Sequence, residues 1–251
     1  AGINTVILSV LKMIKVQGLY KTLGHQQVLN DINLDISTGE IIVILGPSGT
    51  GKTVLLKHLI GLMLPDQGRV LIDGVDISKL KESELLKVRK SVGYLFQEGA
   101  LYDYLNVFDN VAFPLREHTD FTREQVTARV HEVLGMVDLE DVNEKFPSEL
   151  SGGMKKRVGL ARAIVLGAKI LLCDEPTSGL DPIRSRDISN LILNISRKIK
   201  ATTVVTSHDI ENSVRIADRV VLLNEGHIAA MGTKEQLRAD TTAFVKEFVH
   251  P

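Results

Sequence analysis

The sequence predicts an α/β fold: a parallel sheet between helices, an antiparallel β-subdomain near the N-terminus, and an inserted helical subdomain. Three observations carry this. Short apolar, β-branched runs recur as "IIVIL" (41–45), "ILLCD" (170–174) and "TTVVTS" (202–207), and each reads as a strand buried on both faces of a parallel sheet. Helical patterns alternate with them; Pro182 opens one whose face carries Ile188, Leu191, Ile192, Ile195 and Ile199. Residues 98–165 carry helical stripes and no convincing strand.

Taken in order, residues 1–12, "AGINTVILSVLK", are expected to be upstream or non-native sequence, because a strand pattern starts at Met13. They lack the basic n-region of a signal peptide. "MIKVQGLY", "QQVLNDINLDI", "RVLIDGVDI" and the hairpin "RVVLLNEGHIAAMG", turning at Asn224-Glu225-Gly226, are expected to build the antiparallel sheet. A helix is expected from Lys52 to about Leu64, stopped by Pro65. Thr122 and Gln125 form a capping box ahead of a Val126, Val130, Val133, Leu134, Val137 stripe. The chain is thus read as one domain over 13–251, with 13–97 and 166–251 as the core with its β-subdomain and 98–165 as the helical subdomain.

The totals narrow the function. The 251 residues are 44% hydrophobic, enough for a sizeable core. Net charge is -1, which gives no electrostatic case for nucleic acid. The single Cys173 excludes a disulfide framework within one chain and fits a reducing compartment. No apolar run is long enough to span a bilayer, so any membrane role is expected to be that of a peripheral subunit.

"GPSGTGKT" spans Gly46, Pro47, Ser48, Gly49, Thr50, Gly51, Lys52 and Thr53 and fits G-x-x-x-x-G-K-[ST] without a mismatch. A buried strand precedes it and a helix follows. The glycines let several N–H groups face one anion, Lys52 reaches the β- and γ-phosphates, and Thr53 offers a hydroxyl to Mg²⁺. A glycine-rich turn with an ordinary lysine is the plainer alternative, and the context outweighs it. Asp174 ends a buried strand, where an unpaired carboxylate is costly; holding Mg²⁺ accounts for it. Glu175 follows, and strand alternation alone points it away from Asp174's side. If the strand ends there, Glu175 turns toward the γ-phosphate and polarises a water. His208 ends the neighbouring strand on the same sheet edge. Gln97, in "FQEG", has an amide suited to metal and water.

"LSGGMKKR" (150–157) is a second anion seat: Ser151 as N-cap, Gly152 and Gly153 bare, and a helix N-terminus facing outward. Lys155, Lys156 and Arg157 sit where the helix dipole disfavours cations, and a solvated helix face is the alternative for them.

In this order "GPSGTGKT", "FQEG", "LSGGMKKR", "ILLCDEP", "SGLD" and "SHD" resemble the ATP-binding subunit of ABC transporters over about residues 13–235. The resemblance implies a P-loop NTPase (RecA-like) core, ATP and Mg²⁺ as ligands, and a head-to-tail homodimer. In such a dimer Ser151, Gly152, Gly153 and Met154 complete the partner's nucleotide site in trans, and Asp181 of "SGLD" lies at the dimer interface. It implies catalytic roles for Glu175, His208 and Gln97, with Thr53, Gln97 and Asp174 around the metal. Met154 stands where many members have Gln. "FQEGALYDYLNVFDNVAFPLREHT" (96–119) resembles the ATPase of the Mla/Mce phospholipid transport systems. This implies a permease partner, an Mce-type lipid-binding protein, a small accessory subunit, and a place on the cytoplasmic face of the inner membrane. An osmoprotectant importer's ATPase and a soluble non-transport ATPase of the same family stay open as alternatives. Many members stack adenine on an aromatic residue about 23 positions before the loop; here that position is Leu23, with Tyr20 three residues earlier.

Overall fold

The computed structural model describes residues 12–239 and Val245, so residues 1–11 of the expected upstream segment lie outside the described residues. The strands in chain order are β1 (Lys12–Leu23), β2 (Gln26–Ser37), β3 (Ile41–Leu45), β4 (Gln67–Ile72), β5 (Val75–Asp76), β6 (Val92–Leu95), β7 (Ile170–Asp174), β8 (Thr202–Ser207), β9 (Arg219–Asn224) and β10 (His227–Gly232). The helices are α1 (Lys52–Leu59), α2 (Glu82–Arg89), α3 (Val107–His118), α4 (Arg123–Met136), α5 (Gly152–Ile164), α6 (Pro182–Ile199), α7 (Ile210–Ile216) and α8 (Lys234–Ala239).

β2-β1-β4-β5 form an antiparallel sheet, and β10-β9-β3-β8-β7-β6 form a second sheet. In the second, β3 pairs in parallel with β8 and β9, and β7 in parallel with β6 and β8. Its central strands are buried throughout because each face meets a separate core. Ile42 and Ile44 point into one cluster with Leu55, Leu56 and Leu59 of α1 and Val16 and Leu34 of the antiparallel sheet. Val43 and Leu45 point into the other, with Val111, Val130, Val158 and Ile192. Alternation within one strand thus feeds two layers. Between β6 and β7 the described residues form α3, α4 and α5, with a 3-10 turn at Pro147–Glu149, and α5 packs against both α3 and α4.

Two expectations are corrected. The β9–β10 hairpin does turn at Glu225 (φ 45°) and Gly226 (φ 77°), but β9 extends the parallel sheet and does not join the antiparallel one. Its inner residues Val220–Leu223 are buried on both sides, which suits a place beside β3. Helix α1 stops at Leu59, well before Pro65, because Gly61 adopts a left-handed φ of 67° and its amide closes onto the His58 carbonyl.

Candidate functional site

The loop between β3 and α1 is held by close approach and by backbone that suits glycine. A Cβ on Gly46 would lie 2.2 Å from the Leu223 carbonyl oxygen, and Gly49 and Gly51 have φ of 81° and 99°. Lys52 is buried at the first turn of α1 and donates to the loop's own carbonyls, Gly46 at 2.8 Å and Pro47 at 2.9 Å. Its Nζ also lies 3.5 Å from Glu175 Oε1.

Glu175 reaches that position through an uncommon backbone. β7 ends at Asp174, and Glu175 takes φ 43°, a left-handed conformation that a glutamate adopts only when held. Its amide holds it by donating to both the carbonyl and the hydroxyl of Thr206, each at 3.1 Å. The turn breaks strand alternation and swings the carboxylate toward Lys52. His208, at the end of β8, places Nδ1 3.0 Å from Glu175 Oε2.

Asp174 is buried and receives three hydroxyl donors. Thr53 Oγ1 donates to Oδ1 at 2.9 Å, Thr206 Oγ1 to the same oxygen at 2.7 Å, and Tyr94 donates to Oδ2 at 3.2 Å. Burial first, and then the Asp174 charge, push the Tyr94 hydroxyl well above its usual pKa, so it stays a donor. Among the described residues no cluster of three or more His, Cys, Asp or Glu side chains is placed to hold a metal by itself. One carboxylate and one hydroxyl, all hard oxygen, instead fit a Mg²⁺ that takes its remaining ligands from phosphate and water. Gln97 stands to one side, with Nε2 donating to Ser178 Oγ of the "SGLD" turn at 3.2 Å.

The structure thus brings together Lys52, Thr53, Asp174, Glu175 and His208. Ser151 caps α5 by accepting the Met154 amide at 3.3 Å, and both Ser151 and Gly152 are exposed to solvent. Asp181 caps α6 by accepting from the Ile183 and Arg184 amides. Two of the three basic residues beside Ser151 turn inward and are not a solvated face. Lys156 is buried and donates to the Gln97 carbonyl, and Arg157 donates to the Val137 carbonyl at 2.7 Å while pairing with Asp138. Desolvation lowers the Lys156 pKa, against the opposing pull of Glu98 and Glu175.

Leu23 ends β1 at 40% exposure, and Tyr20 is paired with Gln67 within the antiparallel sheet. A cleft of about 250 Å³ beside the phosphate loop is lined by Gln26–Val28, Ser48–Thr50, Glu225 and Gly226; neither Leu23 nor Tyr20 lines it. A larger groove of about 550 Å³ runs between α2, β6, α3 and α5. Tyr94, Phe96, Tyr102 and Phe113 line it, and Arg89 and Arg162 stand among them. Sequence reasoning missed Tyr94 and Thr206, and it singled out Lys156 for its charge without placing it against Gln97. The signal for Tyr94 was a polar tip inside the apolar run "VGYLF".

A phosphate loop, a buried carboxylate beside its Thr, and a second carboxylate aimed at its Lys define a P-loop nucleoside triphosphatase. Comparison with known proteins narrows this. The ABC transporter family model matches residues 29–178. The chain is 45% identical over 237 residues to the probable ribonucleotide transport ATP-binding protein mkl of Mycobacterium leprae, covering 94% of this chain and 68% of that protein. It covers 66% of the mkl protein of Mycobacterium tuberculosis, so it spans about two thirds of the length of these mycobacterial relatives. It is 41% identical to the intermembrane phospholipid transport system ATP-binding protein MlaF of Haemophilus influenzae, covering 94% of this chain and 90% of that one. The methionine import ATP-binding protein MetN of Carboxydothermus hydrogenoformans is 45% identical over 82% of this chain and 61% of its own length. Among solved structures, the dimeric post-hydrolysis state of the ATP-binding cassette MJ0796 bound to ADP and Pi superposes with a TM-score of 0.81. It is 32% identical, over 88% of this chain and 98% of that one. The chain belongs to the ABC transporter family, as an ATP-binding and ATP-hydrolysing cassette.

Proposed function

We propose that this chain works as a head-to-tail homodimer on the cytoplasmic face of the cell membrane, where it hydrolyses Mg-ATP to drive phospholipid transport through a permease of the Mla/Mce type. The observation that carries the chemistry is Glu175, turned out of its strand onto Lys52 and backed by His208. The phospholipid assignment is supported by similarity to MlaF over nine tenths of MlaF's length.

In this reading Gly46–Thr53 cradle the phosphates, and Lys52 exchanges its bonds to the loop carbonyls for the β- and γ-phosphates. Thr53, Asp174 and Gln97 would hold Mg²⁺, which supplies charge neutralisation at the phosphates. Glu175 takes the proton of the attacking water, and His208 orients Glu175 and bonds the γ-phosphate. The partner's Ser151–Met154 segment closes each site, with Asp181 at the same interface. Residues 98–165 act as a helical subdomain, and the groove between it and α2 and β6 receives a permease helix. An Mce-type lipid-binding protein and a small accessory subunit complete the assembly.

The identity of 45% to MetN favours one second reading, an amino-acid or osmoprotectant importer. Purification of the tagged chain from membranes, with mass spectrometry of its companions, separates the two. The lipid reading expects an Mla/Mce-type permease and bound phospholipid. Recovery of a solute-importer permease without lipid would overturn it.

A further inference from the structure

The aromatic groove and the carboxylate assigned to the metal are one side chain apart, and Tyr94 is that side chain. Its ring lines the groove with its centroid 4.3 Å from that of Phe96. Its hydroxyl donates to Asp174 Oδ2. Thr53 and Thr206 both bond Oδ1, so among the described residues the phenol is the donor that holds the other oxygen and helps set the carboxylate's rotation. A group that presses on Phe96 shifts a ring whose far end carries this bond.

We propose that Tyr94 is a positioning residue that orients Asp174 for Mg²⁺ and couples the metal site to the groove. The inference rests on the reading of Asp174 as the metal-holding carboxylate and of the groove as the permease seat. Coupling of this kind is reciprocal: what fills the groove alters metal binding, and bound metal alters the groove. Hydrogen-bond partners of a metal-holding carboxylate typically change metal affinity about 10–100-fold when removed.

The test needs no permease. The chain contains no Trp, so Phe96→Trp, at a position 40% exposed, installs a single reporter stacked against Tyr94. Titrating Mg²⁺ into this variant with ATP should change its emission. In Phe96→Trp with Tyr94→Phe the change should shrink at least about threefold, while binding of a fluorescent ATP analogue in EDTA stays within about twofold. A second measurement uses Tyr94→Phe alone, which keeps the ring and removes only the hydroxyl. The Mg²⁺ concentration giving half-maximal thermal stabilisation by ATP should rise about tenfold. An unchanged Mg²⁺ requirement, a Trp signal of equal size with and without the hydroxyl, or no Mg²⁺-dependent signal in either would each overturn the proposal. Failure to recover a permease in the purification above would leave both measurements standing, so the two ideas fail separately.

Discussion

Replacing Glu175 by Gln separates what its carboxylate does to binding from what it does to turnover. The carboxylate lies 3.5 Å from the Lys52 ammonium, with side-chain exposures of 17% and 4%. At that distance and an effective dielectric of about 20, the attraction is about 5 kcal/mol. Desolvation of both charges offsets much of it and leaves about 1–2 kcal/mol net. An incoming γ-phosphate competes for the same ammonium and is itself repelled by the carboxylate. The amide removes both obstacles and keeps the shape, so ATP should bind about tenfold tighter, a gain of about 1.4 kcal/mol. The amide cannot take a proton, and loss of a general base typically costs about 10²–10⁴-fold in rate. The variant should therefore hold ATP, stay dimeric by light scattering, and release phosphate at no more than about a hundredth of the normal rate. Fluorescent-nucleotide titration and steady-state phosphate release read the two halves. Turnover within about tenfold of the unmodified chain would remove Glu175 from the role of base. Weaker ATP binding would show that its ion pair with Lys52 does not compete with phosphate.

Ser151→Arg should leave nucleotide binding intact and block dimer closure; mixed with Lys52→Ala chains, it should restore one intact composite site per dimer and partial hydrolysis. Normal dimerisation and turnover of Ser151→Arg alone would exclude the trans site. Leu23→Tyr should tighten ATP binding, because an aromatic platform under a base is worth about 1–3 kcal/mol, while Tyr20→Ala should change it little. With Leu23 in place, GTP should compete with ATP within about tenfold in a displacement titration. A large loss in Tyr20→Ala with no gain in Leu23→Tyr would place the base against the other residue.

Which features were legible in the sequence follows from how local their causes are. β3, β7 and β8 were legible because burial on both faces forces an unbroken apolar run, and the phosphate loop because its spacing and flanks lie within about twenty residues. The sheet membership of β9 was not. A strand's composition records how buried it is and says nothing of which strand lies beside it, and β9 meets β3 with paired residues 177 positions apart, as Ile42 and Arg219 are. The early end of α1 turned on one glycine entering left-handed backbone. Within the site, Lys52 and Thr53 stood out at the end of the glycine loop, and Asp174, Glu175 and His208 as chemistry-bearing residues at strand ends. Thr206 and Tyr94 did not, because an alternating Thr and an aromatic in a strand are ordinary core choices until Asp174 is placed between them. Asn110 was missed as well, because a single Asn in a helical stretch carries no local sign that it is buried. It is fully buried, and its amide ties down the Tyr102, Leu105 and Asn106 carbonyls of the loop before α3.

The inward turn of Lys156 and Arg157 changes the character of the segment proposed as a second anion seat. Their charges are engaged within their own chain, so what α5 presents outward at its start is backbone N–H groups and two residues without side chains. Gly153 has no packing reason inside the chain, and Gly152 only an ordinary contact with Leu180. Gly159 of the same helix has one, since a Cβ there would lie 2.9 Å from Leu95 and 3.3 Å from Gly99. A Cβ on Gly153 would meet nothing within 4 Å, and neither Gly153 nor Gly152 has a positive φ. Glycine in a helix costs about 0.5–1 kcal/mol relative to alanine, so the isolated chain would be more stable with Ala at 153. In the proposed dimer the bare position leaves room for the partner's γ-phosphate to approach from outside. Gly153→Ala should therefore move two measurements in opposite directions. The melting temperature without nucleotide should rise by about 1–2 °C, while ATP-dependent dimerisation and hydrolysis fall at least about tenfold. An alanine variant that is more stable and fully active would show that no phosphate comes close to this helix start.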